Sequence, residues 1–134
     1  MVASTITNHI IDPSDTAAWA EKNGQYCEGA GSYHSLVPES GRAYGFAVRG
    51  AGSSPKDAVL SALKSGKMVI VLMGPGHFTS GGHFILLRGI SDDGKILVSD
   101  PASRLRTLRQ WDPAIIFKEA KSGASNDGPF WICG

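Results

Sequence analysis

The apolar positions of the chain form short runs that predict β-strands in its second half. Met68–Met73 is apolar on both faces, which is typical of a central strand. Residues 84–90 and 96–98 are apolar and partly β-branched, and an Asp-Asp-Gly turn separates them. This arrangement predicts a β-hairpin, and the apolar segment Phe130–Cys133 predicts a final strand.

Helical patterns are concentrated in the first half. Asp12 can cap a helix that begins at Pro13 and ends near Gly24. Further helices are predicted over residues 33–44 and 54–66. The last of these has one apolar face, formed by Ala58, Val59, Ala62 and Leu63. Because helices come first and strands later, the order predicts an α+β fold with an antiparallel sheet rather than a parallel α/β sheet.

The remaining segments are predicted to be connections and short elements. Residues 25–32 are expected to form a polar loop and residues 46–48 a short strand, and a further helix is expected to begin at Asp112 and Pro113. Core positions are expected for the tryptophans, Trp19, Trp111 and Trp131. A solvated face is expected for the arginines Arg104, Arg106 and Arg109.

Composition and charge exclude several classes of protein. The 134 residues are enough for one domain, in which about two-thirds of the unfolded surface is buried. A net charge of +1 gives no electrostatic reason to expect nucleic acid or an anionic membrane as a partner. No apolar run approaches the roughly 20 residues that span a bilayer, and the first residues lack the pattern of a signal peptide.

The hairpin carries the main candidate chemistry. His83 stands at the start of its first strand and Asp100 at the end of its second, 17 positions further on. Because these two ends of an antiparallel pair lie side by side, the two side chains are expected to meet. A carboxylate beside an imidazole fixes its tautomer and stabilises the imidazolium, as a general base requires.

The two cysteines leave their own state open. Cys27 and Cys133 are too few for a disulfide framework and lack the spacing of metal ligands. Either one disulfide or two free thiols is consistent with the sequence, because it gives no distance between them. A neighbouring carboxylate such as Glu28 is expected to work against a thiolate at Cys27.

Three segments together resemble the C39-like branch of the papain-fold cysteine peptidases. They read NGQYCEGAGSYHSLVPESGRAYG, LKSGKMVIVLMGPGHFTSGGHFILLRGI and DGKILVSDPAS, and the resemblance extends over residues 12–131. It implies a papain-like α+β fold, with residues 1–134 as a single, partial domain of this type. It also implies thiol-dependent hydrolysis of peptide or peptidoglycan amide bonds without a cofactor, with His83 as the catalytic histidine and Asp100 as its orienting acid.

One element of the family pattern is absent from these residues. The nucleophilic cysteine of that family heads a helix near the N-terminus, in a Cys-Gly-Pro-like motif, and the opening MVAST resembles the tail of that helix. The chain is therefore expected to resemble a truncated domain without peptidase activity. An apolar surface left open by the missing segment is expected to favour a dimer.

The resemblance and the loop composition also suggest a cellular location and a set of residues for the substrate cleft. Relatives in this branch are secreted or cell-wall proteins of bacteria, which implies an extracellular or cell-wall location and a peptide or cell-wall peptide as substrate. The candidate cleft residues are His77, Gly81, Gly82 and Tyr33, and His77 is expected either to line the cleft or only to cap its loop. The glycines are expected either to allow positive φ or to let a substrate backbone approach closely.

Two other classes of function stay open from the residues alone. His77, His83 and Asp100 form a two-histidine, one-carboxylate set that could hold zinc, although no HExxH motif accompanies it. Alternatively, the chain is a non-catalytic binding or structural module that keeps a papain-like groove without its nucleophile.

Overall fold

A computed structural model describes all 134 residues and has six α-helices and eight β-strands. The helices are α1 (Val2–Thr7), α2 (Pro13–Lys22), α3 (Leu36–Tyr44), α4 (Pro55–Lys64), α5 (Arg104–Leu108) and α6 (Pro113–Glu119). The strands are β1 (Tyr26–Cys27), β2 (Gly31–Ser32), β3 (Val48–Gly50), β4 (Met68–Met73), β5 (His83–Ile90), β6 (Ile96–Ser99), β7 (Gln110–Trp111) and β8 (Phe130–Cys133). The predicted α+β class is confirmed, and no helix is long and apolar enough to cross a membrane.

The main sheet is antiparallel throughout, with the strand order β3-β8-β4-β5-β6-β7. β4 lies between β8 and β5, as its apolar sequence predicts. The predicted strand at Phe130–Cys133 is also confirmed, and it inserts between β3 and β4. β1 and β2 form a separate two-stranded ribbon where a loop was expected.

Helices cover both faces of this sheet, which explains why β4 is apolar on both sides. Successive side chains of a strand point to opposite faces. Val69, Val71 and Met73 pack in the main core, which also contains the predicted apolar face of α4 and Ile116 of α6. On the other face, Leu72 packs with Val37 of α3.

Two of the three tryptophans are in the core, as predicted. Trp111 and Trp131 are almost completely buried. The prediction for Trp19 is wrong, because this residue is only half-buried and packs edge-on against Tyr44 with ring centroids 5.7 Å apart. The cause is the position of α2, which buries only Ala20 and lies on the surface.

Local differences from the predicted boundaries have steric causes. α3 begins at Leu36 rather than at residue 33, and β3 is Val48–Gly50 rather than residues 46–48. Gly41 lies inside α3, where glycine normally weakens a helix. A Cβ at this position would lie 2.5 Å from Val48 Cγ2 and 2.8 Å from the carbonyl oxygen of Phe46, so the glycine lets α3 lie directly against the chain entering β3.

The predicted hairpin is formed by β5 and β6, and it contains a β-bulge. Leu86 pairs with Ser99, but Gly89 pairs with Leu97, so Arg88 is an extra residue in β5. Extending the last pair by one residue places Asp100 across from Ile85, on the face that His83 shares. If Arg88 instead took its place in a regular ladder, Asp100 would lie across from Leu86 and share the face away from His83.

Candidate active site

His83 and Asp100 meet at one end of the β5–β6 hairpin. His83 Nε2 lies 2.7 Å from Asp100 Oδ1, and the Asp100 side chain is fully enclosed whereas 22% of the His83 side chain is exposed. The two residues are diagonal neighbours on one face of the antiparallel pair, a separation that a long side chain can bridge. The meeting that the hairpin pattern predicts is therefore present in the structure.

Two further groups, besides the histidine, bind the Asp100 carboxylate. Arg106 Nε donates to Asp100 Oδ2 at 2.5 Å, and the backbone N–H of Ala102 donates to Oδ1 at 2.8 Å. Burial acts to raise the pKa of Asp100, but the hydrogen bonds from Arg106, His83 and Ala102 outweigh it and hold this pKa below its ordinary value. Asp100 is therefore a fixed anion, and the cation beside it compensates its charge.

The ionised carboxylate determines the tautomer of His83. Because a carboxylate only accepts hydrogen bonds, the proton of the imidazole lies on Nε2. Nδ1 makes no hydrogen bond within the protein, so in the neutral ring it carries a free lone pair. This is the arrangement of a general base that is oriented by an acid and has its reactive nitrogen available.

His83 is one of nine residues that line a cavity of about 440 Å³. The other walls come from the β2 region, from Leu72 at the end of β4 and from Lys121 after α6. Gly82, one of the predicted cleft residues, is also part of the lining. The cavity is therefore bounded by parts of the chain that are far apart in sequence.

The other predicted cleft residues lie outside this lining. Gly81 is exposed, with its N–H donating to Thr79 Oγ1. Tyr33 is 52% exposed and lies between two lining residues, Ser32 and His34, and the neighbouring Cys27 thiol raises its pKa. Of the four glycines in the loop of residues 74–82, at positions 74, 76, 81 and 82, only Gly76 has a positive φ.

His77 has a partner that the sequence did not suggest. Its Nδ1 lies 2.5 Å from Glu119 Oε1, and its backbone N–H donates to Glu119 Oε2 at 2.7 Å. Its ring also packs edge-on against Trp111, with centroids 5.8 Å apart. His77 thus ties the loop of residues 74–82 to α6 and does not line the cavity.

The zinc set is not assembled. Zinc binding would require His77, His83 and Asp100 around one point. The two histidines instead contact different carboxylates, and no group of three or more His, Cys, Asp or Glu side chains is arranged to hold a metal ion.

The two cysteines are free thiols, which settles the question of a disulfide that the sequence left open. Cys133 is buried in β8, and burial raises the pKa of its thiol to about 11. A thiol with this pKa is almost entirely protonated near neutral pH and is a poor nucleophile. Cys27 lies in the β1–β2 ribbon, outside the lining of the cavity.

Three residues of this region were not predicted from the sequence, namely Arg106, His34 and Lys121. Arg106 was expected on a solvated face, but α5 turns it towards Asp100, which it binds. Ser103 accepts a hydrogen bond from the Arg106 N–H and caps α5. This capping position was the available signal for a helix. Nothing local indicated His34 or Lys121, because only the tertiary fold brings them to the cavity.

A second, larger groove lies next to α1 and α2. It has a volume of about 710 Å³ and is lined mostly by apolar residues, among them Val2, Ala17, Trp19, Leu36 and Phe46. An apolar groove at this end of the chain was expected from the sequence. The dimer expected to cover it stays a prediction, which light scattering across the micromolar range can check.

Comparison with known proteins gives one match. The family model described as "Peptidase_C39 like family" matches residues 2–122. No curated protein matches the chain, and no solved structure does. The matched residues include the whole β5–β6 hairpin, with His83 and Asp100, and also Arg106 and Lys121.

Proposed function

Because the chain belongs to the Peptidase_C39 like family, we propose that His83 and Asp100 are the general base and the orienting acid for thiol-dependent hydrolysis of a peptide or peptidoglycan amide bond. The observation that carries the proposal is the 2.7 Å contact between His83 Nε2 and an enclosed, charge-compensated carboxylate. A papain-like arrangement of the domain and an extracellular or cell-wall setting belong to the same proposal and rest on the family alone.

The reaction divides into two steps, and in each of them His83 Nδ1 takes up one proton and returns it. In the first step Nδ1 takes the proton of a thiol, the sulfur attacks the carbonyl carbon, and the imidazolium returns the proton to the leaving amine, which gives a thioester. In the second step Nδ1 takes a proton from water, whose oxygen attacks the thioester, and the imidazolium returns the proton to the departing sulfur, which releases the acid and the thiol. Asp100 stays ionised throughout and stabilises the imidazolium of each step.

The nucleophile is the part that these residues do not supply. The Cys133 thiol is buried with a raised pKa, and Cys27 is outside the cavity that His83 lines. We therefore expect the polypeptide alone to have little or no amide hydrolysis activity.

Adding the missing nucleophile in solution tests the base directly. The substrate is a short peptide p-nitrophenyl ester, and the added nucleophile is 2-mercaptoethanol. We expect the protein to accelerate thiolysis and His83→Gln to lower this protein-dependent rate by about 100-fold, since general-base catalysis typically contributes 10² to 10⁴. Asp100→Asn should also lower the rate, because the tautomer is no longer fixed.

Matched controls separate the proposed site from the surface chemistry of the protein. His77→Gln removes a histidine that also contacts a carboxylate but lies outside the cavity, so the rate should not change. Equal rates for the His83 and His77 variants would overturn the proposal. Cleavage of peptide amides without added thiol, abolished by Cys27→Ser, would instead show that Cys27 is the nucleophile.

A second candidate function is a peptide-binding module without catalysis. It is favoured by one observation, which is that the cavity is open while neither thiol lines it. Peptide binding combined with a thiolysis rate that does not depend on His83 would support this alternative.

A further inference from the structure

The ionisable groups that line the cavity beside His83 are all basic. Its lining contains His34, His83 and Lys121, and no aspartate or glutamate. The nearest negative charge of the proposed site, Asp100, is fully enclosed and is compensated by Arg106. The potential inside the cavity is therefore set by a cation and by hydrogen-bond donors.

Lys121 has no counter-ion within the protein. None of the five ion pairs involves it. Glu119, two residues earlier, uses both carboxylate oxygens to bind His77. The backbone N–H of Lys121 donates to the carbonyl oxygen of Leu72 at 2.9 Å, which fixes the base of this side chain beside β4. A half-buried lysine whose ammonium has no partner favours an anionic ligand.

The tautomer of the His34 imidazole follows from its hydrogen bonds. The backbone N–H of Ser125 donates to His34 Nδ1 at 3.0 Å, so Nδ1 is an acceptor and the ring is neutral. The remaining proton of this imidazole is then on Nε2, which makes no hydrogen bond within the protein. The ring of this lining residue therefore keeps an unpaired N–H that a ligand can use.

We propose that this cavity is a subsite for a carboxylate of the peptide substrate, bound by the Lys121 ammonium and the His34 Nε2–H. The proposal rests on the proposed function and gives it a substrate class, namely peptides with an acidic group beside the bond to be cleaved. A carboxylate suits this pair of donors because its two oxygens can each accept hydrogen bonds. An acidic side chain and a free C-terminal carboxylate offer the same chemistry.

The subsite is assembled before any ligand arrives. Ser125 ties the segment after α6 to His34, and the Lys121–Leu72 bond ties the same segment to β4. His83 is in turn paired with Met73 of β4. Because these bonds hold the His34 ring and the Lys121 backbone near the proposed base, binding mainly requires ordering of the Lys121 side chain.

Binding of matched peptides tests the subsite without requiring catalysis. The probes are acetyl-Gly-Gly-Glu-amide against acetyl-Gly-Gly-Gln-amide, for a side-chain acid, and acetyl-Gly-Gly-Gly against its C-terminal amide, for a terminal acid. Titrations at low ionic strength are followed by NMR chemical shifts. We expect at least one acid to bind about tenfold more tightly than its amide, with the preference falling as salt is added. The pair that shows the larger preference identifies the source of the carboxylate.

Two lysine variants provide the control. Lys121→Met should reduce the acid preference to within about twofold, and Lys121→Arg should keep most of it. Lys118→Met makes the same change of charge three residues earlier, at an exposed position outside the lining, and should keep the full preference. An equal loss in both methionine variants, or no acid preference in the unmodified protein, would overturn the proposal.

The thiolysis assay on the same samples separates this proposal from the function it rests on. Thiolysis that depends on His83 without any acid preference would leave the proposed function in place and remove the subsite. An acid preference that depends on Lys121, with thiolysis independent of His83, would keep the subsite and assign it to a binding module.

Discussion

Two histidine–carboxylate pairs lie at opposite ends of the loop of residues 74–82, and they differ in what holds the carboxylate. In the His83–Asp100 pair the carboxylate is fully enclosed and also receives hydrogen bonds from Arg106 and Ala102. In the His77–Glu119 pair half of the imidazole is exposed, and the carboxylate binds only groups of His77.

The difference shows what separates an oriented base from a structural link. The anion of Asp100 does not depend on the histidine, since the guanidinium beside it compensates its charge even when the imidazole is neutral. Glu119 contacts no second cation, and half of the His77 imidazole is exposed. This pair therefore holds the loop in place but does not provide an oriented, partly buried base. A short distance between a histidine and a carboxylate is thus a weaker sign of catalysis than the surroundings of the carboxylate.

Deleting Ser99 should have the largest effect, because it moves Asp100 one position along β6, across from Leu86 and to the face away from His83. The carboxylate would then lose both the imidazole and Arg106. We expect the free energy of unfolding to fall by at least about 3 kcal/mol in urea titrations, together with loss of the His83-dependent thiolysis. Ser99→Ala keeps the register, so it should cost much less. Similar results for the two variants would contradict this role of the register.

Replacing one carboxylate at a time should separate the two pairs. Asp100→Asn leaves Arg106 without its counter-ion, and we expect a loss of about 2–3 kcal/mol, limited because this guanidinium is partly exposed and can rehydrate. Glu119→Gln should cost less than about 1 kcal/mol, as is usual for a pair with an exposed partner. Urea unfolding at pH 7 measures both. Equal costs would show that the surroundings of the carboxylate do not matter.

Arg106→Met should change the response to acid. The pKa of Asp100 is lowered in the folded protein, so its contribution to stability is complete above the unfolded value of about 3.9 and is lost as the pH falls. Without Arg106, burial raises this pKa, and acid unfolding should begin at a higher pH. Tryptophan fluorescence during an acid titration measures the midpoint. Arg104→Met, an exposed change on the same helix, should leave the midpoint unchanged, and an unshifted midpoint for Arg106→Met would contradict the argument.

Gly76→Ala should have the smallest effect and should act on the other pair only. A Cβ at this position would lie 2.2 Å from Glu119 Cδ, so the glutamate has to move away and release His77. We expect a cost below about 1 kcal/mol, because the atoms that must move are the end of a flexible side chain. Amide shifts in an NMR spectrum should change near residues 74–78 and 119. Changes that reach Asp100 would show that the two pairs are coupled.

Local sequence chemistry was enough to predict the hairpin and the meeting of His83 with Asp100. The Asp-Asp-Gly turn and the apolar runs on either side are local signals, and the ends of an antiparallel pair are neighbours by geometry. The helix starts at Asp12 and Asp112 could also be predicted, and in both the carboxylate accepts a hydrogen bond from an N–H two residues later.

The rest depends on tertiary packing. The bulge at Arg88 has no local mark apart from Gly89, yet it decides which face Asp100 occupies. Arg106 is expected from the sequence to be solvated, because only the packing of α5 against the hairpin brings it to Asp100. Lys121 and His34 meet at the cavity only because the segment after α6 contacts the segment before α3. Long-range placements of this kind have no period or spacing in a single sequence.

The position of β8 constrains the order in which the protein can form. This strand is the last along the chain, yet it pairs with both β3 and β4 in the middle of the sheet. While the ribosome is still making the preceding residues, β3 has no neighbour and β4 presents a bare edge that can recruit other chains. We therefore expect a nascent or C-terminally shortened form to require chaperones or to aggregate, although the whole β5–β6 hairpin has already been made.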